Sequence, residues 1–168
     1  GLGPRRRADV GVRRRGRGRR PADEVRRGIL SAASRILIDE GIRAVTFERV
    51  AAEAGSSKMT LYKWWPSPGA LAAEAYFAQS QPALAFPDTG DLRADLVTQL
   101  TSFVDLLTRQ NRGRTVAELI GSAQSDPALR AAWTEQYGRP RRELARERLR
   151  AAVATGELPT TADIDVII

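Results

Sequence analysis

Two lysines, a methionine and a tyrosine stand at helical spacing within a short stretch of this 168-residue sequence. Lys58 and Tyr62 are four residues apart, as are Met59 and Lys63, so a helix through them would carry all four on one side. Ammonium groups and a phenol hydroxyl bind phosphate oxygens, and a methionine offers a soft apolar contact. Residues of these types at this spacing predict a surface that binds a polyanion.

The flanking residues predict two short helices joined by a glycine turn. Thr46 can cap the first helix, and Gly55 supplies the left-handed backbone that ends it. Ser56 and Ser57 form the turn, and Ser57 can cap the second helix. Apolar residues at spacings of three and four give each helix a buried side. They are Phe47, Val50, Ala51 and Ala54 in the first helix, and Leu61 and Trp65 in the second.

Such a pair predicts a helix-turn-helix, whose second helix enters the major groove of DNA while the first lies against the sugar-phosphate backbone. Backbone N–H groups at the two helix starts favour phosphate oxygens, as do the Tyr62 hydroxyl and the Lys63 ammonium. Lys58 can donate to guanine, and Met59 can pack on a thymine methyl. Capping would also explain the serines and threonines, and packing would explain Tyr62 and Trp64. The combination in this order favours DNA binding.

The stretch also resembles the DNA-binding motif of the TetR/AcrR-type bacterial transcriptional regulators. The family pattern is matched at Thr46, Val50, Ala51, Ala54, Gly55, Ser57, Thr60, Leu61, Tyr62 and Trp65. A preceding helix, roughly Asp23 to Glu40, and a following helix, about Gly69 to Ala78, are similar to the family's first and fourth helices. The resemblance covers about 60 residues well, and the remainder matches only in being helical.

The resemblance implies an all-α fold, in which an N-terminal three-helix helix-turn-helix domain precedes a helical domain that binds a ligand and dimerises. It implies phosphate or base contacts from Thr46, Ser56, Ser57, Lys58, Met59, Thr60, Tyr62, Lys63 and Trp64. Pro68 departs from the pattern, because many relatives carry a phosphate-anchoring lysine there. Proline suits the first turn of a helix but has no charge to offer, and the arginine-rich N-terminus can compensate.

The positive charge belongs to that N-terminus. Residues 1 to 20 hold nine arginines and one aspartate, a formal charge of +8, so the rest of a chain whose total is +7 sums to −1. Without apolar periodicity, this segment is predicted to be a disordered arm when free. It can neutralise phosphates or enter the minor groove, which would make DNA affinity strongly salt-dependent. A solubilising tail is the alternative. The sequence predicts no membrane partner, because it has no apolar run long enough to cross a bilayer.

The sequence contains neither cysteine nor histidine. This excludes disulfides, most zinc sites and every Ser-His or Cys-His nucleophile. We therefore predict a protein that is not an enzyme, with no metal or cofactor, in a reducing cytoplasm. The resemblance further implies a bacterial protein associated with the nucleoid.

The chain is long enough for a second helical unit after the first. Two prolines and a glycine between Gln79 and Gly90 predict the boundary. The expected organisation is an arm at 1–20, a helix-turn-helix domain at 21–80, and an effector-binding and dimerisation domain at 81–168. The first helix of this last domain is predicted to bury Leu92, Leu96, Leu100, Phe103 and Leu107. The second is predicted to bury Val116, Leu119, Ile120 and Ala123.

Acidic residues and prolines mark later helix ends. Asp126 and Pro127 form a helix start, and Pro140 is predicted to kink or interrupt the helix that follows. The arginines between 139 and 150, with their interspersed glutamates, are predicted to form a solvated, ion-paired face.

A last helix is expected near Asp163, after a cap at Thr160 or Thr161. Its apolar residues run to Ile168, where the sequence ends. We expect either a native protein that continues beyond this point or a dimer interface built differently from that of the family.

In the family, the C-terminal domain holds a small, often apolar effector and the dimer interface. Candidate pocket residues, which ordinary core packing would also explain, are Phe103, Leu107, Leu119, Trp133 and Tyr137. We predict a homodimer on a palindromic operator in double-stranded DNA, because two heads on a two-fold site multiply a modest half-site affinity.

Together these features predict a sequence-specific DNA-binding transcriptional regulator, in this family most often a repressor, controlled by a small molecule of unknown identity. Two alternatives stay open at this point. One is a non-sequence-specific DNA binder driven by the arginine arm, and the other is a helical module that docks on protein.

Overall fold

The computed structural model describes residues 20 to 80, 85 to 109 and 112 to 168, and these residues form helices without any strand. The predicted arginine arm therefore lies outside the described residues, except for Arg20. The helices are α1 (Ala22–Glu40), α2 (Phe47–Ala54), α3 (Lys58–Trp64), α4 (Pro68–Ser80), α5 (Leu92–Thr108), α6 (Arg112–Ala123), α7 (Pro127–Trp133), α8 (Arg139–Ala154) and α9 (Ile164–Ile167). A 3₁₀ turn, Ile42–Ala44, leads from α1 to α2.

The predicted caps of the helix pair are confirmed. Thr46 Oγ1 accepts a hydrogen bond from the Arg49 amide at 3.2 Å, and Ser57 Oγ accepts one from the Thr60 amide at 3.2 Å. Gly55 ends α2 with φ 64° and ψ 33°, the left-handed conformation that favours glycine. Local signals of this kind fix the ends of the helix pair independently of the rest of the chain.

One hydrophobic core connects the first four helices with the body that follows. Leu37, Val50, Leu61 and Leu71 are fully buried on α1 to α4. The same cluster continues into Leu106, Leu119, Ala123 and Leu129 of α5, α6 and α7. Because α4 packs on both α1 and α7, it belongs to both parts of the molecule.

The buried face of α5 differs from the prediction. Leu92 is buried, but Leu96 and Leu100 are 37% and 56% exposed, and the polar residues Asp95 and Gln99 are buried instead. The reason is the partner helix: α8 presents the buried Arg148, whose Nε donates to Asp95 Oδ2 at 2.8 Å. A buried charge must be paired, so this contact sets the rotation of α5.

Two further expectations are corrected. Arg148 was predicted on a solvated face, but it is buried and paired. Ile120 was predicted to be buried on α6, but it is 48% exposed, whereas Leu119 beside it is fully buried. The apolar face of α6 is thus narrower than the periodicity predicts.

The last helix begins where expected, but with a different cap. Asp163 Oδ1 accepts a hydrogen bond from the Asp165 amide at 3.1 Å, so the cap is Asp163 rather than Thr160 or Thr161. An aspartate directly before the first helical turn caps it as well as a threonine.

The interruption predicted at Pro140 is present and begins one turn before the proline. A π-helical turn, Thr134–Gly138, joins α7 to α8. Pro140 lacks an N–H and cannot continue the normal hydrogen-bond pattern, and the single π turn before it is the form in which π-helix occurs inside α-helices. No helix in the part of the chain that is described is long and apolar enough to cross a membrane.

Candidate DNA-binding surface and effector cavity

The outer side of α3 carries the residues that the sequence predicts for it. Met59 is 81% exposed and Tyr62 is 63% exposed, and Lys58 and Lys63 also lie in solvent. On the opposite side, Leu61 and the adjoining Trp65 are buried. Because α3 has only seven residues, this clean division between a core side and an outer side depends on the helices around it.

Aromatic and polar contacts hold α3 in place. The ring of Tyr62 meets Phe47 of α2 edge-on, with centroids 4.7 Å apart. Trp65 Nε1 donates to Glu74 Oε2 at 2.7 Å, and Arg26 Nη2 donates to Glu74 Oε1 at 2.6 Å. The Arg26 guanidinium also lies 4.6 Å from the Trp65 ring centre. Through Glu74, the end of α3 is therefore attached to both α1 and α4.

The charges on the surface divide into paired and unpaired groups. Arg49 is bound by the carboxylates of Glu40 and Glu53, and its hydrogen bonds hold the pKa of Glu40 below its ordinary value. Lys58 Nζ lies 3.7 Å from Glu48 Oε1, and both side chains are more than half exposed. Within the described part of the chain, Lys63 has no carboxylate at ion-pair distance. Of the two lysines on α3, Lys63 is therefore the one more available to a phosphate.

Of the nine predicted contact residues, Thr46 lies at the start of α2 and the other eight lie in the turn and along α3. Six are exposed: Thr46, Ser57, Lys58, Met59, Tyr62 and Lys63. Ser56, Thr60 and Trp64 are half-buried. The Thr60 hydroxyl lies 2.9 Å from Ser57 Oγ, and the Trp64 ring leans toward Arg26 of α1, 5.9 Å away. Thr60 and Trp64 thus have structural contacts of their own.

Pro68 is the first residue of α4, a position in the first helical turn that suits proline. Ser67 Oγ accepts from the Ala70 amide at 3.0 Å and donates to Asp126 Oδ2 at 3.0 Å. Asp126 Oδ1 in turn accepts from the Ala128 and Leu129 amides at 3.0 Å, which confirms the predicted start of α7. The first turns of α4 and α7 are therefore joined by one carboxylate.

A cavity of about 480 Å³ lies between α5 and the stretch from α7 to α8. Its walls include Phe86, Leu96, Leu100, Trp133, Tyr137 and Arg141. Burial raises the pKa of the Tyr137 hydroxyl, so this side chain is a neutral phenol at neutral pH.

The structure brings two of the five predicted pocket residues, Trp133 and Tyr137, to the cavity wall. Leu119 lies in the core, and Phe103 and Leu107 are half-buried and do not line the cavity, although the Phe103 ring lies next to Arg141 of its wall. Sequence reasoning missed Arg141 on the wall, although Trp133, Tyr137 and Arg141 follow one another at steps of four. Extending the row by one step would have found it.

The cavity wall touches the helix that supports α3. Tyr137 stacks on Phe77 of α4 with centroids 4.9 Å apart, and Trp133 meets Phe77 edge-on at 5.0 Å. Farther along, Glu118 Oε2 of α6 accepts from the Ile42 amide at 2.9 Å, just before α2. The cavity wall is thus in direct contact with α4 through Phe77, and α6 is separately attached to the segment before α2.

This arrangement of an exposed, supported second helix and a cavity in the adjoining helical body defines a helix-turn-helix regulator. Two family models match: one described as "Bacterial regulatory proteins, tetR family" over residues 29–75, and one described as "Tetracyclin repressor-like, C-terminal domain" over residues 86–168. The chain belongs to the TetR family, and it is a DNA-binding transcriptional regulator rather than an enzyme.

Relatives from several bacteria support this assignment. The chain is 37% identical over 150 residues to the HTH-type transcriptional regulator YdeS of Bacillus subtilis, covering 89% of this chain and 75% of that protein. It is 30% identical over 139 residues to the HTH-type regulator Mb1581 of Mycobacterium bovis, covering 82% and 67%. Among solved structures, the TetR family transcription regulator SCO0332 is 50% identical, with a TM-score of 0.75, covering 85% of this chain and 79% of that one.

Proposed function

We propose that the protein binds an inverted-repeat operator as a homodimer, with α3 of each protomer in the major groove, and that it acts as a repressor relieved by a small molecule. The observation that carries this proposal is the exposed face of α3. Met59 and Tyr62 are left in solvent on a helix whose opposite side is fixed by Leu61 and Trp65. A rigid helix with exposed apolar and cationic side chains is suited to a groove in DNA.

The residues divide by the part of DNA that they would reach. We assign Tyr62 and Lys63 to phosphates, with Thr46 and Ser57 at the two helix starts. Lys58 and Met59, in the first turn of α3, are assigned to base edges. Lys58 would have to leave Glu48 to donate to a base, and an exposed ion pair of this kind is weak enough to open.

The proposed domains are 21–80 for DNA binding and 81–168 for effector binding and dimerisation. Their shared core and the Phe77–Tyr137 stacking support coupling between them. For an effector to act, it must bind the conformation that does not fit DNA more tightly than the one that does. The proposed place of action is the bacterial nucleoid, where the operator lies.

The phosphate assignment of Lys63 is testable by the salt dependence of binding. In Lys63→Ala, the affinity for random 30-bp duplex DNA should fall, and the magnitude of the slope of log affinity against log salt should decrease by about 1 for each bound protomer, since each protomer loses one phosphate contact. Fluorescence anisotropy over a salt series measures both. Arg150→Ala, which removes an exposed arginine from α8, is the control and should leave the slope unchanged. Equal slopes in Lys63→Ala and the wild type would contradict the assignment.

A further inference from the structure

The Arg141 guanidinium stands at the cavity wall without an anionic partner. With its amide oriented so that donors face acceptors, the buried Gln99 accepts from Arg141 Nη1 at 2.6 Å and donates to the Ala85 carbonyl at 2.6 Å. The guanidinium also lies 5.3 Å from the Phe103 ring centre and 6.0 Å from that of Tyr137. Every one of these partners is neutral.

Arg141 differs in this respect from the other half-buried or buried arginines around it. Arg146 and Arg148, on the same helix, are paired with carboxylates of Asp165 and Asp95. For Arg141, no aspartate or glutamate among the described residues comes within ion-pair distance. The amide of Gln99 therefore orients its guanidinium but leaves its charge uncompensated.

The lining of the cavity points the same way. Arg141 and Arg142 are its charged side chains, and neither an aspartate nor a glutamate is among the lining residues. A second, smaller hollow on the other side of Arg141 is also lined without a carboxylate. Phe86, Trp133 and Tyr137 supply flat apolar walls around this positive group.

We propose that the effector is a small aromatic carboxylate whose anionic group binds Arg141 and whose ring lies between the aromatic walls; this inference rests on the proposed effector function. Burying a carboxylate is costly unless it is paired, and a guanidinium can pair with it through two parallel hydrogen bonds. Gln99 holds the guanidinium in place before the ligand arrives, which lowers the entropic cost of binding. A neutral ligand can accept a hydrogen bond from Arg141 but does not compensate its charge, and a cationic ligand is repelled by it.

The test uses three probes of one shape and different charge: 2-naphthoate, 2-naphthamide and 2-naphthylmethylamine. Isothermal titration calorimetry on the full chain should show 2-naphthoate binding at least about 10-fold more tightly than either of the others, a difference typical of one charge-assisted pair. Arg141→Met should remove this preference, because it keeps the stem and loses the charge. Arg141→Lys should keep part of it, because a lysine retains the charge without the fork.

Arg150→Met is the matched control, since Arg150 is exposed on the same helix and is not on the cavity lining. It should bind 2-naphthoate like the wild type. Thermal unfolding of each variant shows whether it is folded. The inference is overturned if no probe binds, if the amide or the amine binds as tightly as the acid, or if folded Arg141→Met keeps the preference for the acid.

A DNA-binding measurement separates this inference from the proposed function. If 2-naphthoate binds through Arg141 and weakens DNA binding by the wild type but not by Arg141→Met, the anion site and the effector role of the cavity are both supported. When it binds through Arg141 and leaves DNA affinity unchanged, the anion site stands and the effector role of the cavity is wrong.

Discussion

Arg148 is the residue whose environment differs most from its sequence context. It lies among five other arginines between 139 and 150, yet its side chain is 3% exposed. Its Nη2 lies 2.7 Å from Asp95 Oδ2 and 3.3 Å from Glu157 Oε1. Removing one partner of a buried pair leaves the other charge without compensation, which costs far more than losing an exposed pair.

We therefore predict that the decrease in melting temperature caused by Arg148→Met is several-fold larger than the decrease caused by Arg146→Met. Arg146 is the control because its pair with Asp165, at 2.9 Å, is largely exposed, and such pairs contribute only about 0–1 kcal/mol. Circular dichroism during heating measures both shifts. Similar shifts in the two variants would show that the buried pair does not hold α5 against α8.

The same pair predicts how stability depends on pH. Burial by itself raises the pKa of the Asp95 carboxyl, but hydrogen bonds from Thr89 and Arg148 outweigh it, so the folded-state pKa lies below its ordinary value of 3.8. An aspartate whose pKa is lowered by folding stabilises the folded state fully at pH values above its unfolded-state pKa. This contribution to stability is lost as the pH falls through the folded-state pKa. Acid unfolding should therefore begin at a higher pH in Asp95→Asn, which cannot make this contribution at any pH.

At the scale of single residues, the exposure on α3 was predictable and the pairing of Arg148 was not. Met59 and Tyr62 follow from a local period of four and from Leu61 on the opposite side. Asp95 and Arg148 are 53 residues apart, and nothing in the local pattern of either helix indicates that they meet. The contact between Gln99 and Arg141 also joins residues that are far apart in the sequence, and the local pattern did not indicate it either.

Among the structural elements, the turn between α2 and α3 places the recognition surface, and Gly55 is its critical residue. Its φ of +64° disfavours any side chain, although no atom lies within 4 Å of where a Cβ would stand. The cost of a substitution here is thus conformational and not a clash.

Gly55→Ala should lower the free energy of unfolding by about 1 kcal/mol. Gly28→Ala should raise it by a similar amount, because Gly28 is within α1, with no positive φ and open space around it. Urea denaturation of the two variants compares them directly. A loss in both, or a gain in both, would contradict the role given to the left-handed turn.

Element ends were easier to predict than element faces. Helix caps are formed by hydrogen bonds from backbone amides two or three residues away, as at Thr46, Ser57 and Asp126. A few neighbouring residues are therefore enough to predict them. The buried side of α5 depends instead on α8, which supplies a polar partner that turns Leu96 and Leu100 toward the cavity. Apolar periodicity alone therefore predicted the helix and not its orientation.

For the molecule as a whole, α4 is the helix that connects the two proposed domains. Glu74 of α4 supports α3 by accepting the hydrogen bond from Trp65, and Phe77 of α4 stacks on Tyr137 and meets Trp133 edge-on at the cavity wall. A ligand that moves Trp133 or Tyr137 would press on the same helix that positions α3. The sequence indicated two units and their boundary, but not that one core runs through both.

The proposed function requires that α3 reads a specific operator in a two-fold arrangement. The most direct test is the selection of bound sequences from random duplex DNA by the full chain at about 150 mM salt, where non-specific phosphate binding is weakened. We predict an enriched inverted repeat whose half-sites are separated by about one helical turn or a multiple of it. In a parallel selection, Lys58→Ala should relax the preference at particular base positions within each half-site and keep the repeat. Either of two results would contradict sequence reading by α3. One is the recovery of sequences without any enriched motif. The other is the recovery of the same motif at full strength after Lys58→Ala, Met59→Ala and Tyr62→Phe are combined.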